Sequence, residues 1–141
     1  MSATQLAVLA RTVEPQRMLR RFLALDAVVT GVNALAYLAL PGPLGRLLGV
    51  GSGLLLGIGA FLAVYAAGVA LLAARPHPPA AGVRIVVEAN LVWAVGSPAA
   101  LALWLTPTAA GAVWTVLQAL TVAGFAVTQH LALKQRQLSQ D

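Results

Sequence analysis

Cysteine is absent from the chain, which removes disulfides, thiolate metal sites and cysteine nucleophiles, and leaves the redox compartment open. Charge is nearly as scarce: Asp, Glu, Lys and Arg together make 9% of the 141 residues, against 60% hydrophobic ones. A water-soluble domain carries about a quarter charged residues, so this composition argues against a soluble fold. The fingerprints of soluble catalysis are missing too. There is no GxSxG, HExxH, P-loop or dinucleotide-binding stretch in a fitting context, and GVGSG at 49–53 reads as a loop between apolar runs. His77 sits between prolines and His130 near the end of the last apolar run. Two histidines so placed make no metal site, and no cofactor is implied. The net charge of +5 comes from only nine basic residues, scattered between apolar segments with no basic helix face. That excludes nucleic acid as the natural partner.

What the chain has is four apolar runs, at about 19–40, 54–74, 83–105 and 109–133. Each reaches the 20 or so residues needed to cross a bilayer. The breaks between them are sharp: Pro41-Gly42-Pro43 with a short amphipathic piece at 44–50, Arg75-Pro76-His77-Pro78-Pro79, and Thr106-Pro107-Thr108. The fold class is therefore all-α, an integral membrane four-helix bundle. A polar segment at 1–18 precedes it, with Leu6, Leu9, Ala10 and Val13 at helical spacing, predicting a short amphipathic surface helix. Pro15 reads as the first turn of the next helix. Residues 134–141 read as a polar tail. Gly53 and Gly57 form a GxxxG spacing, extended by Ala60, Ala63 and Ala67, which predicts close helix contact along the second span.

Orientation follows from the basic residues. One side receives Arg11, Arg17, Arg20, Arg21, Arg75, Arg84, Lys134 and Arg136, and the other Arg46 alone. The positive-inside rule then puts both termini in the cytoplasm.

Polar residues inside the spans are costly in hydrocarbon and need partners. At about 1.5 Å of rise per residue, Asp26, Tyr65, Glu88 and Asn90 fall in one layer on the cytoplasmic side. Asn33, Ser97 and Gln118 fall in a second, near the midplane. Asp26, Thr30, Asn33 and Tyr37 share one face of the first span, and Asn90, Trp93, Ser97 and Trp104 one face of the third. Thr115, Gln118, Thr121, Phe125 and Thr128 cluster on the fourth. Asp26 and Glu88 are the candidate acid/base residues; Asn33, Tyr65, Asn90, Trp93, Ser97 and Gln118 are the candidate ligand-binding ones. Each has a plainer reading. Arg84 and Glu88, four apart, suit an intrahelical ion pair, Asp26 could pair with Arg84, Arg20 or Arg21, and the amides and threonines suit interhelical glue. Glu88 lies about 200° round the helix from Asn90 and points elsewhere. Trp104 and Trp114 flank the third turn as an outer aromatic belt, and Pro98 is expected to kink the third span.

The stretches LDAVVTG (25–31), VYAAGV (64–69), NLVW (90–93), LTPT (105–108) and LQAL (117–120) together resemble small DoxX-like four-helix membrane proteins of high-GC bacteria. The resemblance covers about 19–133. It implies a four-helix bundle of the bacterial inner membrane, in a group sometimes associated with redox or quinone-linked systems, and transfers no catalytic residue. Small multidrug exporters are another four-span class with an acid in the first span. Here Asp26 stands where a glutamate is expected, their motif is absent, and the charge bias argues against dual topology.

Three functions fit. The first is a non-enzymatic accessory or lipophilic small-molecule-binding protein, partnered by membrane lipids, a further copy or another membrane protein. The second is a membrane-embedded enzyme using Asp26 or Glu88 as acid/base on a lipophilic substrate. The third is a proton-coupled exporter built on Asp26.

Overall fold

A computed structural model describes residues 2–140, with the side chains of 6–13 and 140 outside the description. Five helices follow one another: α1 (Ala3–Ala39), α2 (Pro41–Leu48), α3 (Ser52–Ala74), α4 (Ala80–Trp104) and α5 (Ala109–Gln140). Four of them contain stretches long and apolar enough to cross a membrane: Glu14–Ala39, Ser52–Ala74, Ala80–Trp104 and Ala109–Ser139. The chain is an all-helical bundle of multi-pass membrane type. Its outer surface is what lipid rather than water calls for: Leu35, Val64, Leu71, Val92, Val95 and Leu103 all stand exposed on the long helices.

The first helix departs from the sequence-based expectation. Instead of a surface helix and then a second one starting at Pro15, α1 runs unbroken through that proline. Ser2 and Gln5 close a capping box at its start, each side chain bonded to the other's backbone N–H. Just past Pro15, Gln16 is pinned by tertiary contact, its amide nitrogen 2.8 Å from His77 Nδ1. A proline in a helix loses one backbone bond; here the turn is held from outside. The amphipathic side chains expected at Leu6, Leu9, Ala10 and Val13 lie outside the described ones. At the other end, α5 continues through the expected tail at 134–141 as far as Gln140. That stretch holds no Gly or Pro, and Leu133 and Arg136 are buried, so packing and propensity both extend the helix. α4 likewise runs through Pro98 as one helix.

The helices alternate up and down. At the basic end, Arg20 Nε donates to the Ala73 carbonyl at 3.0 Å, and Arg136 Nη1 donates to the Pro78 carbonyl at 2.6 Å and to Gln16 Oε1 at 3.1 Å. These bonds tie α1, the α3–α4 loop and α5 together. At the opposite end, α2 folds over the start of α5: Thr108 gives its backbone N–H to the Leu48 carbonyl at 3.2 Å and its hydroxyl to the Leu47 carbonyl at 2.7 Å. Glycine makes this approach feasible. Gly49 has φ 75°, in the left-handed region, and a Cβ on Gly111 would collide with the Leu48 carbonyl.

α1 packs along α3, α4 along α5, and α1 against α5, whereas α3 and α4 barely touch. The small-residue contact on α3 is made by Gly59, Ala66 and Ala73, all buried; a Cβ on Gly59 would press on Tyr37 and Leu38 of α1. The expected GxxxG pair is not the one used, since a Cβ on Gly53 or Gly57 would meet open space. Two apolar cores result. The one at the basic end draws on all four long helices, including Leu19, Leu23, Val69, Val83, Val87, Ala126 and Leu133. The one at the α2 end is built by Ala34, Tyr37, Leu55 and Leu62 of α1 and α3, with Leu44 of α2 packed against them. There, α4 packs along α5 but stands away from α3.

Candidate functional site

Where the four-helix core ends, one polar node joins all four long helices. Asp26 of α1 is 1% exposed, Asn90 of α4 4% and Gln129 of α5 0%. Asp26 Oδ2 accepts from Asn90 Nδ2 and from Gln129 Nε2, both at 2.8 Å. Its Oδ1 accepts from the Thr30 hydroxyl at 3.1 Å, one turn along α1. Asn90 Nδ2 also reaches Gln129 Oε1 at 3.1 Å, and the Tyr65 hydroxyl of α3 donates to Asn90 Oδ1 at 2.9 Å. Every polar atom of the three buried side chains is thus engaged, as buried polar groups require.

The layer predicted for Asp26, Tyr65 and Asn90 is therefore formed, but its composition differs from expectation in two ways. Glu88 is not in it: both Glu88 and Arg84 stand exposed on the outer face of α4, as the helical angle between Glu88 and Asn90 requires. The node's fourth helix instead contributes Gln129, to which the sequence pattern assigns no role. The partners of Asp26 are also neutral donors, not Arg84, Arg20 or Arg21; Arg20 is spent on the Ala73 carbonyl. Neutral donors satisfy the carboxylate without a second buried ion.

Beyond the node, towards the α2 end, α3 and α4 separate and enclose a half-open cleft of about 480 Å³. Beside it, Phe61 stacks on Tyr65 and on Trp93 with ring centroids 6.2 Å apart in each case, and of these three rings Trp93 lines the cleft. Its walls are Leu54, Leu55 and Ile58 of α3 and Trp93, Gly96, Ser97 and Ala100 of α4, backed by Trp114, Thr115 and Gln118 of α5. Leu48, Pro107 and Gly111 seal the far end beneath α2. The α4 residues here continue the helical face that is buried at Val83, Val86, Val87 and Asn90. One apolar face packs core in its first half and lines empty space in its second.

Of the second predicted layer, Ser97 and Gln118 line this cleft, and Trp93 joins them by donating its indole N–H to Gln118 Oε1 at 3.1 Å. Asn33 is half-buried outside both groups. Of the two tryptophans assigned to an outer belt, Trp104 is 77% exposed at the cleft mouth. Trp114 instead turns inward and donates to the Tyr37 hydroxyl at 2.8 Å. Among the described residues no group of three or more His, Cys, Asp or Glu side chains could hold a metal ion.

No family model, no curated protein and no solved structure matches the chain.

Proposed function

We propose that this chain is a non-enzymatic protein of the bacterial cytoplasmic membrane, with both termini in the cytoplasm, that binds a lipophilic small molecule in the cleft between α3 and α4. The observation that carries this reading is the cleft itself. Its volume falls in the range that holds a small organic ligand, its lining is almost wholly apolar, and it stands open on the side where α3 and α4 part. A bilayer-dissolved molecule reaches such a site laterally, without crossing water. The orientation rests on the charge bias, since Arg20, Arg75 and Arg136 mark one end and Arg46 the other. The DoxX-like relationship belongs to the same proposal and rests on the short words between 25 and 120.

The alternatives find less support. An enzyme built on Asp26 needs the carboxyl to meet substrate, yet Asp26, Asn90 and Gln129 are absent from the cleft lining, and both carboxyl oxygens are already engaged. Glu88 faces outward, away from both. An exporter built on Asp26 needs the carboxylate to exchange partners, whereas three donors already occupy it.

Mass spectrometry of the organic extract from detergent-purified protein tests the proposal. A discrete lipophilic molecule, stoichiometric with the chain and lost in Gly96→Phe, is the expected result. Gly96 lines the cleft and a Cβ there meets no neighbour, so the substitution adds a ring at the cleft wall with room for its attachment. Bulk phospholipid alone, unchanged by the substitution, would overturn the reading and turn attention to a protein partner.

A further inference from the structure

All three tryptophans of the chain line one cleft, and two of them determine which way its polar groups face. An indole N–H only donates. Because Trp93 Nε1 points at Gln118, the amide must present its oxygen to the indole and its NH₂ elsewhere, so the usual ambiguity of amide orientation is resolved by chemistry. Because Trp114 Nε1 points at Tyr37, the phenol oxygen is the acceptor and its proton is free to be given away. The Gln118 amide nitrogen makes no hydrogen bond within the bundle and yet is not one of its sealed, unpartnered atoms, a condition met among the described residues by Arg136 Nε; the Tyr37 hydroxyl accepts from Trp114 and donates to no protein acceptor. Both groups border the cleft. Of the two other lining hydroxyls, Thr115 has its proton committed to the Gly111 carbonyl at 2.9 Å, and Ser97 on α4 can rotate to donate or accept.

Trp114 and Gln118 are one turn apart on α5, so their Cβ atoms lie on the order of 5–6 Å apart, and Tyr37 meets the first of them from α1. Around them the lining contains no Asp, Glu, Lys, Arg or His. A phosphate or carboxylate headgroup would be desolvated there with no cation to meet it, and an ammonium with no anion. A pure hydrocarbon would fill the space but leave both donors without an acceptor.

We infer that the ligand is a neutral lipophile bearing carbonyl oxygens, taken from the bilayer and held by Gln118 Nε2 and the Tyr37 hydroxyl. This inference rests on the cleft-binding reading above and narrows it to a chemical class.

The test uses the full-length protein in detergent, with benzophenone as photo-cross-linking probe and two competitors of matched shape, anthraquinone and anthracene. They differ by two carbonyl oxygens. Peptide mapping is expected to place saturable label on residues 93–118, and Gly96→Phe is expected to remove it. Anthraquinone is expected to displace the label at about tenfold lower concentration than anthracene, the factor that one or two neutral hydrogen bonds supply. In Tyr37→Phe and in Gln118→Met that preference should shrink several-fold, and in the double variant approach the ratio set by micelle partition alone. Because the readout is a ratio of two competitors on one protein, a partly unfolded variant lowers total label without changing it. Saturable labelling with the same competitor ratio in wild type and variants would overturn the carbonyl inference and leave a cleft selective only for shape. No saturable label in the cleft would overturn both readings together.

Discussion

The Asp26 node makes opposite predictions for two substitutions at one position. Asp26→Leu removes an acceptor of three hydrogen bonds, from Thr30, Asn90 and Gln129, and leaves two amide groups pointing at a methyl-bearing chain. Hydrogen bonds between membrane helices contribute about 0.6 kcal/mol on average and at most about 1.7, so the loss comes to roughly 2–5 kcal/mol. Asp26→Asn keeps one oxygen where Oδ2 lies, able to accept from both Asn90 and Gln129. Its new NH₂ faces the Thr30 hydroxyl, which can accept in place of donating. The neutral amide therefore rebuilds the node, and the expected loss is below about 1 kcal/mol, set by the weakening of charge-assisted bonds. Equilibrium unfolding in mixed dodecyl maltoside and dodecyl sulfate micelles, followed by circular dichroism, measures both. The reasoning is refuted if Asp26→Asn costs as much as Asp26→Leu, because the negative charge itself would then be doing something that three neutral donors do not explain. It is equally refuted if Asp26→Leu costs nothing.

Three more expectations follow from named contacts. Gly111→Val should detach α2 from α5, because its Cβ would occupy the Leu48 carbonyl; a loss of several degrees in thermal midpoint is expected, while Gly57→Ala, facing open space, should leave the midpoint unchanged or raise it, helix propensity adding up to about 1 kcal/mol of stability. Gln129→Leu should cost about 1–3 kcal/mol and make a later Asn90→Leu cheaper than it is in the wild type, a coupling read by a double-mutant cycle. Because the chain contains no cysteine, single-cysteine variants report orientation directly: in intact cells an impermeant maleimide should label Thr106→Cys and spare His77→Cys, and the reverse pattern would invert the topology.

The spans were legible because apolar length and Pro-rich breaks are local properties, and the meeting of Asp26, Tyr65 and Asn90 because depth can be counted along a helix. Gln129 was missed for a specific reason. The polar residues from Lys134 onward suggest an early end to the fourth span, which places Gln129 near the surface. The helix in fact continues to Gln140, so Gln129 lies at the depth of Asp26. One signal was available: Gln129 follows Gln118 by eleven residues, about three helical turns on, and shares its face. The close contact on α3 was misassigned because Gly53 and Gly57 match a motif, whereas Gly59, Ala66 and Ala73 repeat every seven residues and are the ones buried. Small residues are so frequent here that spacing alone does not choose among faces. The cleft had no local signature at all. The stripe through Trp93, Ser97 and Trp104 reads the same whether it packs against α3 or stands away from it, and only the tertiary arrangement distinguishes the two.

The node also sets an order of assembly. Asp26 enters the membrane with Thr30 beside it on its own helix, while Asn90 and Gln129 come 64 and 103 residues later. At about 5–20 residues per second of synthesis, the last partner follows by roughly 5–20 s. For that interval the first hairpin, α1 with α3, has its long apolar contact but carries a carboxyl group whose Oδ2 only the second hairpin can satisfy. The growing chain is thus held short of its final state until α5 arrives. A fragment lacking α5 should be a poor resident of the bilayer and a good substrate for membrane quality control.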